Sequence, residues 1–392
     1  IYLYTYTKGL KHMNFTINRS AFISQLNNVL RAISSKTTIP ILTGLKMVVN
    51  EDNIVLTGSN SDITIESVIN ANDADNDLTI EETGAIVLPA RFFSDIVKKL
   101  PDKKVTIEVT SGFQADITSG SAKFQINGQD AENFPHLPEI ETNKSVTLPN
   151  DILKEVIRQT VIAVSKQESR PILAGVHMTL KDGVLTAVAT DSHRLAQRKV
   201  VLENIDNGID FDVIIPGKSM EELSGMISDV HEDVQMQVTE NQVLFIFGNT
   251  HFYSRLLEGN YPETSQLIPQ TADTTVELEA GAFLSSIERA SLLSHESRND
   301  VVKLSLKPSE NLVRISGDSP DIGTVEEEVV TSALDGNDLE ISFNPNYMKD
   351  ALRSFGQATI KISFTSPLRP FTLVPTEDQE NFVHLITPVR TF

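Results

Sequence analysis

KTTIPILTGL at residues 36–45 returns as KQESRPILAGV at 166–176: a Lys, then Pro-Ile-Leu, then a Gly, with Pro40 and Pro171 131 residues apart. Outward from these stretches, a second marker recurs. A β-like run ends at a proline and an amphipathic stretch follows, in AIVLPARFFSDIVKKL, DVIIPGKSMEELSGMI and EISFNPNYMKDALRSF; the prolines are Pro89, Pro216 and Pro345, spaced 127 and 129. A third marker pairs Asn133-Phe134-Pro135 with Asn260-Tyr261-Pro262, again 127 apart. Such a period exceeds the roughly 20–50 residues of a solenoid repeat and matches an ordinary domain of about 100–150. The chain therefore reads as one domain in triplicate, over 13–140, 141–270 and 271–392, with short polar linkers near 138–145 and 269–275. Residues 1–12 carry three of the six tyrosines and stand outside the repeat, so they read as a cloning remnant ahead of a natural start at Met13.

Within each unit the expected order is helix, strands, helix, strands, which suggests two similar halves. RSAFISQLNNVLRAI places Phe22, Leu26, Val29, Leu30 and Ile33 at helical spacing. DILKEVIRQTVIAVS and GAFLSSIERASLL are its counterparts. In HMTLKDGVLTAVAT, two alternating runs flank Asp182-Gly183, a hairpin turn signal. The fold class is α+β.

Composition narrows the function. With 40% hydrophobic residues the chain is globular, and no apolar run reaches the 18 or so residues of a membrane span. No secretory signal is visible, and the absence of cysteine excludes disulfides and thiolate ligands and accords with a cytoplasmic location. A net charge of −20 usually argues against nucleic acid. Yet the six helical segments, 19–37, 91–99, 151–170, 218–229, 279–298 and 346–354, hold 15 basic and 11 acidic residues, and the first carries no acid. Ordinary solvation of helix faces would also account for that surplus.

Enzymatic motifs break on inspection. Gly217-Lys218-Ser219 imitates the end of a phosphate loop, but the required earlier glycine is Asp212. Asp191-Ser192-His193 has triad residue types, but sequence neighbours rarely converge as nucleophile, base and orienter, and no GxSxG frames the serine. The eight histidines show no metal-ligand spacing, so no metal or cofactor is expected.

The three tandem units, the KTTIPILTGL stretch, ATDSHRLA at 189–196 and the ending HLITPVRTF together resemble the bacterial DNA polymerase III β subunits, the sliding clamps of replication. The resemblance runs from Met13 to Phe392. It implies three DNA-clamp domains, helices lining a ring interior and antiparallel sheets outside. The implied role is a non-catalytic processivity subunit: a homodimer around duplex DNA, without sequence preference, that tethers the replicative polymerase and docks the clamp loader, other polymerases and repair proteins. Ring geometry agrees, since helices about 10 Å wide must number twelve, from two chains, to clear a duplex.

By the same resemblance, DNA-facing positions fall on Lys36, Arg91, Gln167 and Arg170. The alternative for Lys36 and Arg170 is a helix C-terminal cation facing the macrodipole. A peptide pocket maps to Leu173, Thr190, His193, Arg194, Leu195, Pro262, Leu267, Leu385, Thr387, Pro388, Val389 and Arg390, where Thr387 and Val389 replace methionines common in relatives. Dimer contacts map to Phe124 and Ile126 on one side and Leu292 and Leu293 on the other. A carbohydrate-active enzyme with converging carboxylates and a β-rich scaffold are the rival classes; neither explains the triplication.

Overall fold

The computed structural model describes residues 12–110, 112–136, 140, 144–167, 169–203, 209–227, 233–294 and 300–390. The cloning remnant expected at 1–12 lies outside them except for His12, as do parts of the first linker and residues 168, 228–229 and 295–298 of the expected helices.

Among the described residues six α-helices alternate with antiparallel strands: α1 Arg19–Leu30, α2 Ala90–Lys99, α3 Asn150–Thr160, α4 Gly217–Met226, α5 Ala280–Ser294 and α6 Pro345–Phe355. The α+β class and the paired halves stand. One expectation is corrected: each repeat opens with a strand, not a helix. Met13–Asn18, Ser145–Pro149 and Thr274–Glu279 each run straight into a helix and pair with a strand that follows the repeat's second helix. Met13, Phe15 and Ile17 alternate inward, a period of two that is real but only three turns of the pleat long.

Side-chain oxygens cap the helix starts. Asn18 Oδ1 accepts from the Ser20 and Ala21 N–H groups at 2.9 and 3.2 Å, Asn344 Oδ1 from Asn346 at 2.8 Å, and the Glu279 carboxylate from Gly281 and Ala282 at 3.2 and 2.9 Å. The marker prolines occupy two positions around such starts. Pro89 and Pro216 end their strands, whereas Pro345 is the first residue of α6. Each site tolerates proline because the first N–H groups of a helix have no intrahelical partner.

Two further helix ends depart from the sequence reading. α1 stops at Leu30 rather than continuing to 37, and α3 stops at Thr160 rather than 170. Thr160 turns its hydroxyl back to the Val156 carbonyl at 2.7 Å, and the β-branched Val161 and Ile162 continue as a single 3-10 turn over Val161–Ala163.

The chain divides into two compact units, residues 1–150 with 225–255 and residues 151–224 with 256–392. The first holds a five-stranded and an eight-stranded sheet, the second a nine-stranded and a four-stranded sheet. The second repeat is shared between them by strand pairing. Its Thr250–Arg255 strand adds to Ile63–Asn70 of the first repeat, and its Arg194–Val201 strand adds to Phe382–Ile386 of the third. In the first unit Phe22 of α1 meets Phe15 and Phe93 edge-on at 6.1 and 5.9 Å. In the second, Phe283, Ile287 and Ala290 of α5 enter a core with Met348 and Leu352 of α6. Gly58 and Gly317 let these helices approach their sheets: a Cβ at either would lie 2.4 Å from the carbonyl oxygen of Val29 or Ala290. The Asp182-Gly183 turn forms as expected, with φ of 51° and 77° between Lys181 and Val184.

Candidate functional site

The strands Val184–Thr190 and Arg194–Val201 form a hairpin whose turn is built by its own side chains. Asp191 Oδ1 accepts from the N–H groups of His193 and Arg194 at 2.9 and 3.0 Å. Thr190 Oγ1 accepts from the Ser192 N–H at 3.1 Å and donates to the Arg194 carbonyl at 2.6 Å, with Ser192 at a φ of 79°. Asp191 and Ser192 therefore serve the backbone of a turn, and the carboxylate is further engaged by Arg194. They do not form a triad with His193.

That turn aims Arg194 across the second unit. Its Nε lies 3.1 Å from Asp191 Oδ2, its Nη1 2.7 Å from Asp350 Oδ2, and its guanidinium 4.5 Å from the centroid of the Tyr347 ring. The His193 ring lies nearly parallel to Tyr347 at 6.5 Å. Below, Leu195 and Leu385 are register partners and cluster with Val188, and Tyr261 and Ile268 pack against that cluster. The Tyr261 hydroxyl accepts the Thr190 N–H at 3.0 Å and its ring stacks on His177 at 4.9 Å. Burial pushes the Tyr261 hydroxyl up to about 12, so it stays protonated. His384, on the same strand as Leu385, is buried and shares a 2.8 Å hydrogen bond with Ser354; burial, then the charge of Arg194, hold its pKa down to about 3.

The tail is tied to both sides of this floor. The Thr387 N–H donates to the His193 carbonyl at 2.8 Å and the Val389 N–H to the Ser342 carbonyl at 2.7 Å. Of the expected pocket residues, Thr190, His193, Arg194, Leu195, Leu385, Thr387 and Val389 are thus brought together. Leu173 is the buried residue of the Pro171–Ala174 turn, Leu267 is 52% exposed, and Pro262 and Arg390 are exposed. These four and Pro388 enter neither the side-chain bonds nor the apolar cluster. Asp350, Tyr347, Tyr261 and His384 escaped sequence reasoning as site residues. All four lie in marker stretches, Tyr261 in the Asn-aromatic-Pro pair, Tyr347 and Asp350 in the third proline-helix copy and His384 at the head of HLITPVRTF, but none of those patterns marks a site residue.

The four expected DNA-facing residues are all exposed. Lys36 sits in the turn beyond α1, where its N–H donates to Ser34 Oγ at 3.1 Å; Arg91 is the second residue of α2; and Arg170 Nη1 donates to Ser192 Oγ at 2.6 Å. Gln167 bonds Ser165 Oγ through its N–H at 3.1 Å. Because α1 ends at Leu30 and α3 at Thr160, neither Lys36 nor Arg170 is a helix C-terminal cation. In the first unit Phe124, 41% exposed, and half-buried Ile126 lie on Ala122–Asn127, an edge strand of the five-stranded sheet. In the second, α5 leaves Leu292 70% exposed with Leu293 half-buried.

Comparison with known proteins decides the family. Models of the N-terminal, central and C-terminal domains of the DNA polymerase III β subunit match residues 13–138, 147–263 and 265–390. The chain belongs to the DNA polymerase III β subunit family. A β sliding clamp of Bacillus subtilis is 50% identical over 381 residues, covering 97% of this chain and all of that one. The crystal structure of a Bacillus subtilis sliding clamp, with the same identity and coverage, superposes with a TM-score of 0.94. A Pseudomonas aeruginosa sliding clamp bound to griselimycin is 25% identical, with 97% and 100% coverage and a TM-score of 0.89. As a member of the β sliding clamps, the chain is a DNA sliding clamp rather than a catalyst.

Proposed function

We propose that two copies of this β subunit close head to tail into a ring around duplex DNA, tethering the replicative polymerase and docking the clamp loader, other polymerases and repair proteins at the cleft around Arg194. The observation that carries the ring is an open sheet edge with an exposed aromatic, the Ala122–Asn127 strand with Phe124, and an exposed Leu292 on α5, neither covered among the described residues. A single contact between them used twice closes a two-fold assembly and covers the sheet edge. Lys36, Arg91, Gln167 and Arg170 would face the duplex, where the three cations attract phosphate and the Gln167 amide can hydrogen-bond it, none reading sequence.

The cleft reading rests on the Leu195–Leu385 floor beside Tyr261, with Arg194 and His193 at the rim, which suits a short motif with apolar anchors. The griselimycin-bound relative supports a ligand site in the family. Sedimentation tests the ring: the unmodified protein should have the mass of two chains. A concentration-independent monomer would remove the proposal.

A further inference from the structure

The turn at Thr190–Arg194 has a twin. A shift of 131 residues, the spacing of Pro40 and Pro171, carries Thr190, Asp191, Ser192 and Arg194 onto Ser59, Asn60, Ser61 and Ile63. The bonds repeat with it. Asn60 Oδ1 accepts from the Asp62 and Ile63 N–H groups at 3.0 and 2.9 Å, and Ser59 Oγ accepts from Ser61 at 3.3 Å and donates to the Ile63 carbonyl at 3.2 Å. Ser61 has a φ of 80° against 79° for Ser192. The neighbouring strand repeats as well: Ile63 faces Ser254 as Arg194 faces Ile386, and the Arg255 N–H donates to the Asp62 carbonyl at 2.9 Å as Thr387 does to His193. Tyr253 thus stands where Leu385 does, and Arg255 where Thr387 does. Phe134-Pro135 replaces Tyr261-Pro262.

This first-unit copy is hollow. A cavity of about 250 Å³ opens between the turn, the Phe134-Pro135 segment and the Tyr253–Arg255 strand end, with Leu42 and Phe134 among its lining. The chemistry has changed. Arg194 becomes Ile63, buried in the sheet, and the leucines at 195 and 385 become Thr64 and Tyr253. Arg255, His136 and Asp62 line the opening, all exposed, and none has a side-chain hydrogen bond or ion pair among the described residues. Ile39, 41% exposed, adds an apolar lip.

From this we infer that the first unit carries a second docking pocket, for a peptide segment that presents an aromatic or aliphatic anchor beside a carboxylate. The volume lies below the roughly 300–1,000 Å³ of small-molecule pockets and suits one anchor side chain. A free phosphate would bring Asp62 a second anion and no N–H donor to offset it, and a wholly apolar ligand would desolvate Arg255 and His136 without bonding them. A peptide offers N–H donors to Asp62 and a carboxylate to Arg255, the stronger, charge-assisted kind of hydrogen bond. The ligand class rests on the peptide reading of the Arg194 cleft, so the test reads the two sites separately.

The test uses full-length protein labelled at isoleucine δ1 methyls, titrated with acetyl-Glu-Phe-amide or acetyl-Gln-Phe-amide. Ile39 reports the new pocket, and Ile268, packed on the Leu195–Leu385 cluster, reports the cleft. The Glu probe should shift Ile39 saturably, and Arg255→Gln should weaken that binding about tenfold while leaving the Gln probe unchanged. An unmoved Ile39, or equal loss of both probes in Arg255→Gln, would overturn the inference. Movement at Ile268 alone would do so while sparing the cleft reading; movement at Ile39 alone would support the inference and count against the cleft.

Discussion

Arg194 holds two carboxylates and an aromatic face at once, with only 11% of its side chain exposed. It is therefore a keystone of the turn before it is a contact for any partner. Arg194→Ala leaves Asp191 without its cation and Asp350 with only Arg353, 3.8 Å away; because Asp350 is also 36% exposed, solvent screens part of the cost, which should be about 1–3 kcal/mol. Thermal unfolding should fall by several degrees, and partner-peptide affinity should fall with it. Arg194→Lys keeps a charge but not the planar fork, and should recover only part of either. Calorimetry beside a peptide titration checks both; an unchanged melting temperature in Arg194→Ala would show the pairs to be idle. His384 makes the other residue-scale prediction. Its ordinary value is 6.5 and its folded value about 3, so below 6.5 the unfolded chain takes a proton that the folded chain refuses. The stabilisation is complete above 6.5 and is lost as pH falls towards 3, at up to about 1.4 kcal/mol per pH unit. Burial also lowers the pKa of His251, which adds the same sign. Denaturant midpoints at pH 7 and 5 should drop for the unmodified protein and drop less for His384→Gln; parallel slopes would contradict the assignment.

At the scale of elements, what was legible in the sequence had a long period. The repeat, the six helices and the Asp182-Gly183 turn all announce themselves through spacing or turn chemistry. The strands that open each repeat did not, because six residues such as MNFTIN give too few alternations to stand apart from the helix they feed. The end of α3 was hidden for the opposite reason: Val161 and Ile162 extend an apolar pattern that Thr160 has already stopped helically. The site divided likewise. Its turn, ATDSHRLA, is one continuous stretch, but Asp350 and Tyr347 reach it from α6, more than 150 residues later, and no local pattern joins them. Two predictions belong here. Replacing Leu292 and Leu293 with serine should give folded monomers, because α5 keeps its buried face of Phe283, Ile287 and Ala290; sedimentation that still shows a dimer would defeat that interface. Truncation after Thr387 removes the Val389 tie to Ser342 and should weaken partner-peptide binding about thirtyfold or more, as loss of a hot-spot contact of about 2 kcal/mol does, while leaving the dimer intact. Full affinity in the truncated protein would place the partner site elsewhere.

At the scale of the whole molecule the proposed ring would reconcile the charge of −20 with a role on DNA. The helical segments hold a small basic surplus within an acidic chain, so direct affinity for duplex should be poor and what there is should fade as salt rises. A closed ring escapes that dependence, since leaving a circular duplex requires opening a protein contact rather than breaking phosphate contacts. Retention after loading is the most direct measure of this. The protein is loaded on a nicked circle, washed at rising salt, and the circle is then cut. The ring account predicts that protein survives a moderate-salt wash on the circle and runs off once an end exists. Equal loss from circular and linear DNA, governed by salt alone, would contradict it.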